Sequence, residues 1–339
     1  MAVAAGMADF TFMEEKSAQL FVNAPNALEG NYKAKCDTAA AAFQSKESGV
    51  VDFTGDEASI LSQIRTLVSI LPANNEEDLS EEDCQDDLNR MCSGIEGLAG
   101  DPIQVLSMIS DNHFVMEVKK DYEPSMVTAF IRLNGVTVGC VANRTEHYED
   151  GKKADEFEAA LSGKGCDKAV ELISFCDAFS IPLLTLTNVN GYKAKMCSER
   201  RIARAAARLT YAYADATVPK VTVVTGKALG SAGLTMGSKS LGTDLVYAWP
   251  NAVIGTMEPE AAVKIMYAKE IEASDDAVAL ISEKTAEYTK TQSGAVAAAR
   301  RGYADDIIKA EETRQRLAAA FDMLYTKSED RPSKKHGTV

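Results

Sequence analysis

The stretch Pro219 to Met236, PKVTVVTGKALGSAGLTM, holds the residues whose types and spacing could do chemistry. Its β-branched run, Val221 to Val224, predicts a buried parallel strand that stops at Gly226. Gly230-Ser231-Ala232-Gly233 then predicts a tight turn and the start of a helix that continues through Leu234, Thr235 and Met236. Tiny side chains at a helix start let a ligand come close to bare backbone N–H groups. Those groups have no intrahelical partner and sit at the positive end of the helix dipole. The place suits an oxyanion, either a ground-state phosphate or an enolate or tetrahedral oxygen in a transition state.

Other chemistries fit the spacing less well. A P-loop needs contiguous Gly-Lys-Ser/Thr, and Gly237-Ser238-Lys239-Ser240 breaks that order. A serine nucleophile elbow needs glycine where Leu229 stands. It also needs a histidine partner, in a chain whose only histidines are His113, His147 and His336. The bland alternative for the loop alone is a glycine-eased packing contact of helix on strand.

Composition narrows the class. The chain has 339 residues, 46% apolar and 25% charged, ordinary for a globular protein of two domains. A net charge of −14 argues against nucleic acid and anionic membrane surfaces as partners. No apolar run approaches a membrane span, and Met1 begins no signal peptide. The seven cysteines, at 36, 84, 92, 140, 166, 176 and 197, include no C-x-x-C pair. They read as free thiols in a reducing cytoplasm, and with three scattered histidines they make no metal site.

The elements that must position the loop follow from patterning. Met1 to Met13 flows from small residues into a β-like segment and resembles the inside of a domain. Leu20-Phe21-Val22 and Asp52-Phe53 are further short strand candidates. Ala58 to Leu71 places Ile60, Leu61, Ile64, Leu67, Val68 and Leu71 at helical spacing, closed by Pro72. The acidic run Glu76 to Asp87 reads as a solvated linker, with a domain boundary near Arg90 to Ser93. Asn134-Gly135 joins Met126–Leu133 to Val136–Ala142 as a hairpin. Glu146 to Gly165 is a polar, exposed excursion. Asp167 is placed to cap a helix that turns Ala169, Val170, Leu172, Ile173, Cys176 and Phe179 inward. A strand at Leu183–Asn188 and an alanine-rich helix at Glu199–Ala216 precede the central loop. Arg200, Arg204 and Arg208 share one side of that helix, where they could meet a phosphate-bearing cofactor, solvent or another subunit. Strands at Asp244–Trp249 and Ala252–Thr256 follow, then a helix from Pro259 through Glu260–Glu270, and a disordered polar tail ends the chain. Alternation of strand and helix predicts an α/β fold with largely parallel strands.

These residues resemble the carboxyltransferase subunits of biotin-dependent acyl-CoA carboxylases and decarboxylases, of the propionyl-CoA carboxylase beta-chain and methylmalonyl-CoA decarboxylase alpha type. The resemblance rests on AFIRLNGVTVGCVAN (129–143), DKAVELISFCDAFSIPLLTL (167–186) and YAYADATVPKVTVVTGKALGSAG (211–233). SKSLGTDLVYAWPNAVIGTMEPEAAVKI (238–265) and RRGYADDIIKAEETRQRL (300–317) continue it. MADFTFM (7–13), LFVNAPNAL (20–28), SGVVDF (48–53) and SILPANN (69–75) are similar to the close of the family's N-terminal domain. Residues 1–92 would then be that closing part plus the acidic linker, 93–326 the C-terminal carboxyltransferase domain, and 327–339 a tail. The front of the first domain would be missing, with the glycine-rich turn that serves the acyl-CoA thioester.

The resemblance implies a crotonase-like spiral of ββα units. It also implies transfer of a carboxyl group between carboxybiotin on a carrier protein or domain and the α-carbon of a short acyl-CoA, such as acetyl-, propionyl- or methylmalonyl-CoA, without a metal. Charge would develop on the thioester enolate oxygen and the biotin ureido oxygen, and each backbone donor aimed at them would be worth about 3–4 kcal/mol. The biotin nitrogen can take the α-proton, so no histidine base is required. By resemblance the biotin-side oxyanion hole falls on the N–H groups of Ser231 and Ala232, Gly230 and Gly233 permit close approach, and Leu234 lines the acyl pocket. Asn190-Gly191-Tyr192 stands for the family's proline-glycine-phenylalanine turn, so Gly191 and Tyr192 join the substrate side. A homo-oligomer, commonly a hexamer, in the cytoplasm or as part of a membrane decarboxylase is implied as well. The alternative is a non-catalytic assembly subunit; a crotonase-type hydratase or isomerase fits the matched segments less well.

Overall fold

The computed structural model describes residues 1–76, 83–149 and 151–329. The expected acidic linker lies partly outside those residues, and the expected tail almost wholly so.

Eight strands form the main sheet: β1 (Val115–Val118), β2 (Met126–Leu133), β3 (Val136–Asn143), β4 (Leu183–Val189), β5 (Lys220–Leu229), β6 (Leu245–Ala248), β7 (Val253–Gly255) and β8 (Asp306–Ile307). Their order is β8-β6-β5-β4-β3-β2-β1, with β7 joined to the far end of β5. From β3 to β8 the pairings are parallel, whereas β1, β2 and β3 run antiparallel, so the sheet is mixed. The β2–β3 hairpin forms where Asn134-Gly135 predicts it. Both residues have positive φ, 53° and 80°, the conformation a two-residue turn of matching twist requires.

Helices α1 (Glu57–Ile70), α2 (Pro102–Ile109), α3 (Gly163–Ala178), α4 (Ile202–Asp215), α5 (Gly230–Thr235), α6 (Pro259–Met266), α7 (Ala277–Tyr288) and α8 (Thr313–Leu324) surround the sheet. Period-two alternation splits the strand side chains between two cores. Val127, Ala129, Ile131 and Leu133 pack with α2 and α8, while Met126 and Phe130 pack with α3 and α4. Every residue of β2 is buried, as expected of a strand covered on both faces. Phe53, Leu67 and Ile70 share a core with Phe130 and Leu172, so the first seventy residues are cemented onto the rest.

Five local expectations need correction. Strand β5 does not stop at Gly226 but runs on to Leu229, with a register shift against β4 between Val224 and Ala228. The Asn188 side chain repairs the break by accepting from Lys227 N at 3.1 Å, and a Cβ on Gly226 would stand 2.5 Å from its oxygen. Leu20–Val22 forms no strand; only an isolated bridge from Gln19 to Ala40 is present there. Helix α3 starts four residues before Asp167, capped by Ser162 Oγ accepting from Gly165 N at 3.0 Å. Asp167 instead pairs with Arg201 and with Arg208. In α1 the capping residue is Asp56, Leu67 and Ile70 are buried, and Leu61 and Val68 stand in solvent. The helix opened by Pro259 also breaks early, after Met266.

Candidate functional site

Strand β5 delivers the chain directly into α5. Gly230 turns the corner at φ +59°, a left-handed conformation that L side chains rarely adopt, and a Cβ there would lie 3.2 Å from Thr256 O. Gly233 seats the helix on its own strand: a Cβ would stand 2.5 Å from the Ala228 carbonyl carbon and 2.9 Å from its oxygen. The far end of α5 is tied down by hydroxyls. Thr187 donates to Met236 O at 3.2 Å, and Thr222 and Thr243 donate to Gly237 O at 2.6 and 2.9 Å. The first turn of α5 is thus fixed from below and behind.

Neither Ser231 N–H nor Ala232 N–H donates to a side chain or to the carbonyls used in turns, loops and caps among the described residues. Both belong to the first turn, where no helical acceptor precedes them. Ser231 is exposed, whereas the Ala232 methyl is buried to 1% exposure. In front of this turn lies a cavity of about 740 Å³ lined by Gly230, Ser231, Gly233 and Leu234. Val224, Met236 and Ile254 give it an apolar floor, and Gly255 and Thr256 from the end of β7 close one side. No carboxylate and no imidazole lines it. The arrangement has the elements of an oxyanion-stabilising site: a fixed first turn whose Ser231 lines a largely apolar hollow, where hydrogen bonds are stronger than in water, although Ala232 is not part of the lining.

The expected residues are brought together unevenly. Gly230, Ser231, Gly233 and Leu234 line the cavity, with Leu234 half exposed at 49%. Gly233 also makes room for strand β5, which is the packing role weighed from the sequence. Tyr192 lies behind α5, its hydroxyl 3.1 Å from Thr235 Oγ1, which itself donates to Ser231 O at 2.9 Å. Gly191 sits on a two-residue strand paired with Ala160–Leu161 and lines no part of the cavity. Residues that motif reasoning passed over complete the wall: Lys239, Tyr288, Gln292, Arg301 and Tyr303. Arg301 and Tyr303 fall inside the RRGYADD stretch, a signal present in the chain but with no chemistry legible without the fold. Of the arginine face on α4, Arg208 is held by Asp167. Among the described residues no group of three or more His, Cys, Asp or Glu side chains is placed to hold a metal, and no helix is long and apolar enough to cross a membrane.

Comparison with known proteins identifies the family and the fold. The methylmalonyl-CoA decarboxylase subunit alpha of Propionigenium modestum is 37% identical over 98% of this chain and 65% of its own length. A putative propionyl-CoA carboxylase beta chain of Bacillus subtilis is 39% identical over 98% of this chain and 66% of its own. The chain therefore spans just under two thirds of the length of these relatives. A crystal structure of transcarboxylase 12S, described as a hexamer assembly with methylmalonyl-coenzyme A and methylmalonic acid bound, superposes with a TM-score of 0.86 at 36% identity. That match covers 98% of this chain and 64% of the other, and the fold is the crotonase-like one of the carboxyltransferases. The model of the carboxyl transferase domain matches residues 2–339, and this chain belongs to that family.

Proposed function

We propose that this chain is a carboxyltransferase component of a biotin-dependent acyl-CoA carboxylase or decarboxylase, moving a carboxyl group between carboxybiotin and the α-carbon of a short acyl-CoA. The observation that carries the reading is the first turn of α5, pinned at both ends and turned toward a hollow that holds no acid or imidazole. The Ser231 and Ala232 amides would receive the ureido oxygen as negative charge builds on it. Gly230 lets the ring approach the backbone, and Leu234, Met236 and Ile254 exclude water around it. Bound biotin would supply the carboxyl carrier and a ring nitrogen able to exchange the α-proton, so the absence of a side-chain base from the lining is consistent with the chemistry. The relatives' names suggest propionyl- or methylmalonyl-CoA, and an apolar residue at Leu234 suits a short acyl chain. A biotin carrier protein or domain, assembly into homo-oligomers, a cytoplasmic setting and a division near residue 92 belong to the same reading.

Malonyl-CoA decarboxylation by the purified chain, with and without free biotin, tests it. Biotin-dependent turnover is expected, and loss of one amide donor in Ser231→Pro or Ala232→Pro should reduce it by about 10²- to 10³-fold. Ser231→Ala should change little, because it keeps the N–H. Turnover unaffected by either proline would sink the assignment of the amides. No turnover in the parent chain would favour a non-catalytic assembly role.

A further inference from the structure

The charges around the cavity are lopsided. In a chain of net charge −14, the lining contains two cations, Lys239 and Arg301, and no acid. Lys239 is already neutralised, its ammonium 2.9 Å from Asp305 Oδ2 and donating to Asp244 O at 2.8 Å. Arg301 is different: its guanidinium donates to the backbone carbonyl and the side-chain Oε1 of Gln292, both neutral acceptors. Arg301 is exposed, and among the described residues it makes no ion pair, so no carboxylate offsets its charge at the cavity wall. Gln292 holds the guanidinium plane, and the segment Thr289–Ser293 is itself fixed where Ser293 packs on Gly255 at the end of β7. A preorganised, uncompensated guanidinium beside an apolar hollow is the arrangement that binds a planar carboxylate through paired N–H donors.

We propose that Arg301 is the carboxylate-binding residue of this cavity, holding the carboxyl group in transit while the α5 amides hold the neighbouring oxygen. The inference rests on the reading of the cavity given above. A phosphate group shares the oxyanion chemistry, but a carboxylate is planar and meets the planar guanidinium fork edge to edge, which a tetrahedral phosphate does less well.

Calorimetric titration with malonate, a carboxylate probe that needs no biotin, tests this on the full chain. The parent chain is expected to bind malonate more tightly than inorganic phosphate. Arg301→Gln should weaken malonate about ten- to a hundred-fold, and Arg301→Lys, which keeps the charge but not the fork, should fall between. Leu234→Trp, which fills the hollow, should also abolish binding. Malonate affinity unchanged within two-fold in Arg301→Gln, or in Leu234→Trp, would overturn the proposal, and so would tighter binding of phosphate or no malonate binding by the parent chain. Hydrogen exchange separates a bare structural role. If both arginine variants lose binding together with protection across Thr289–Ser293, Arg301 is only a clamp on that segment and the proposal fails. Malonate binding at Arg301 without biotin-dependent turnover would defeat the functional reading alone. Turnover without malonate binding would defeat this inference alone.

Discussion

Replacing Gly233 by alanine tests most directly whether α5 is held where the site requires it. The added Cβ would lie 2.5 Å from the Ala228 carbonyl carbon, 2.9 Å from its oxygen and 3.0 Å from its Cα, all backbone atoms that cannot swing aside. Restoring ordinary contact at 3.4 Å means lifting the helix by about 0.9 Å. Overpacking of this kind costs about 1–3 kcal/mol, a fall in Tm of roughly 2–6 °C for a domain of this size. The same displacement carries the Ser231 and Ala232 amides off target, and a misplacement of about 1 Å can cost roughly 10²-fold in rate. Gly191→Ala is the matched control, because nothing lies within 4 Å of where its Cβ would stand and its φ is not left-handed. Thermal unfolding of both variants, alongside biotin-dependent decarboxylation, reads the two effects separately. A Gly233→Ala chain with parental Tm and turnover would show that α5 does not depend on this contact, and the reasoning about the seated helix would fall with it.

Two further perturbations concern the frame around the site. Burial pushes the Asp52 carboxyl up to about 6, with Lys119 Nζ at 3.8 Å and the Thr11 N–H at 2.7 Å opposing and Glu171 nearby adding to the rise. Between pH 4 and 6 the native state then holds a proton that the unfolded chain has lost, so stability falls as pH rises through that window. Denaturant titrations should show Asp52→Asn flattening the fall, which amounts to about 3 kcal/mol in the parent chain; an unchanged pH slope would refute the burial argument. Arg314 is fully buried, with Asp111 Oδ1 at 2.7 Å, the Ile109 carbonyl at 2.6 Å and Asp86 farther off at 3.5 Å. Asp111→Ala should destabilise the chain by about 3–5 kcal/mol, because it strands a buried cation. A loss below about 1 kcal/mol would mean that Asp86 takes over.

What the sequence could announce was whatever depends on near neighbours. Asn134-Gly135 specified its hairpin because only residues tolerant of positive φ close a two-residue turn with the right twist. The β-branched run before Gly230-Ser231-Ala232-Gly233 specified strand and then helix, because apolar burial and the left-handed turn at Gly230 are both local demands. Family-wide motifs carried the placement of the amides further than periodicity alone. Competition between alternatives close in sequence was harder. Asp167 is a competent cap by residue type, yet Ser162, immediately before the true start, takes the helix, and Asp167 pairs with Arg201 and Arg208 instead. The apolar stripe on α1 was real as a pattern, yet only the packing partner decides which of its members is buried, and Leu61 and Val68 face none in this chain.

Tertiary structure alone decided the rest of the site. Gly226 looked like a strand terminator, but it is a glycine because the Asn188 side chain crosses the backbone there to mend a broken ladder. Gly233 has a second reason to be glycine that its motif does not show, since a Cβ there would meet the backbone of Ala228 on its own strand. Arg301 lies seventy residues beyond the α5 turn and carries no motif of its own; it joins the cavity because β7 and the Thr289–Ser293 segment fold back over the end of β5. Backbone donors need only a local turn and are therefore written in the sequence. The cation on the same cavity wall comes from a distant segment, and its lack of an ion pair among the described residues depends on where the acids of the chain end up.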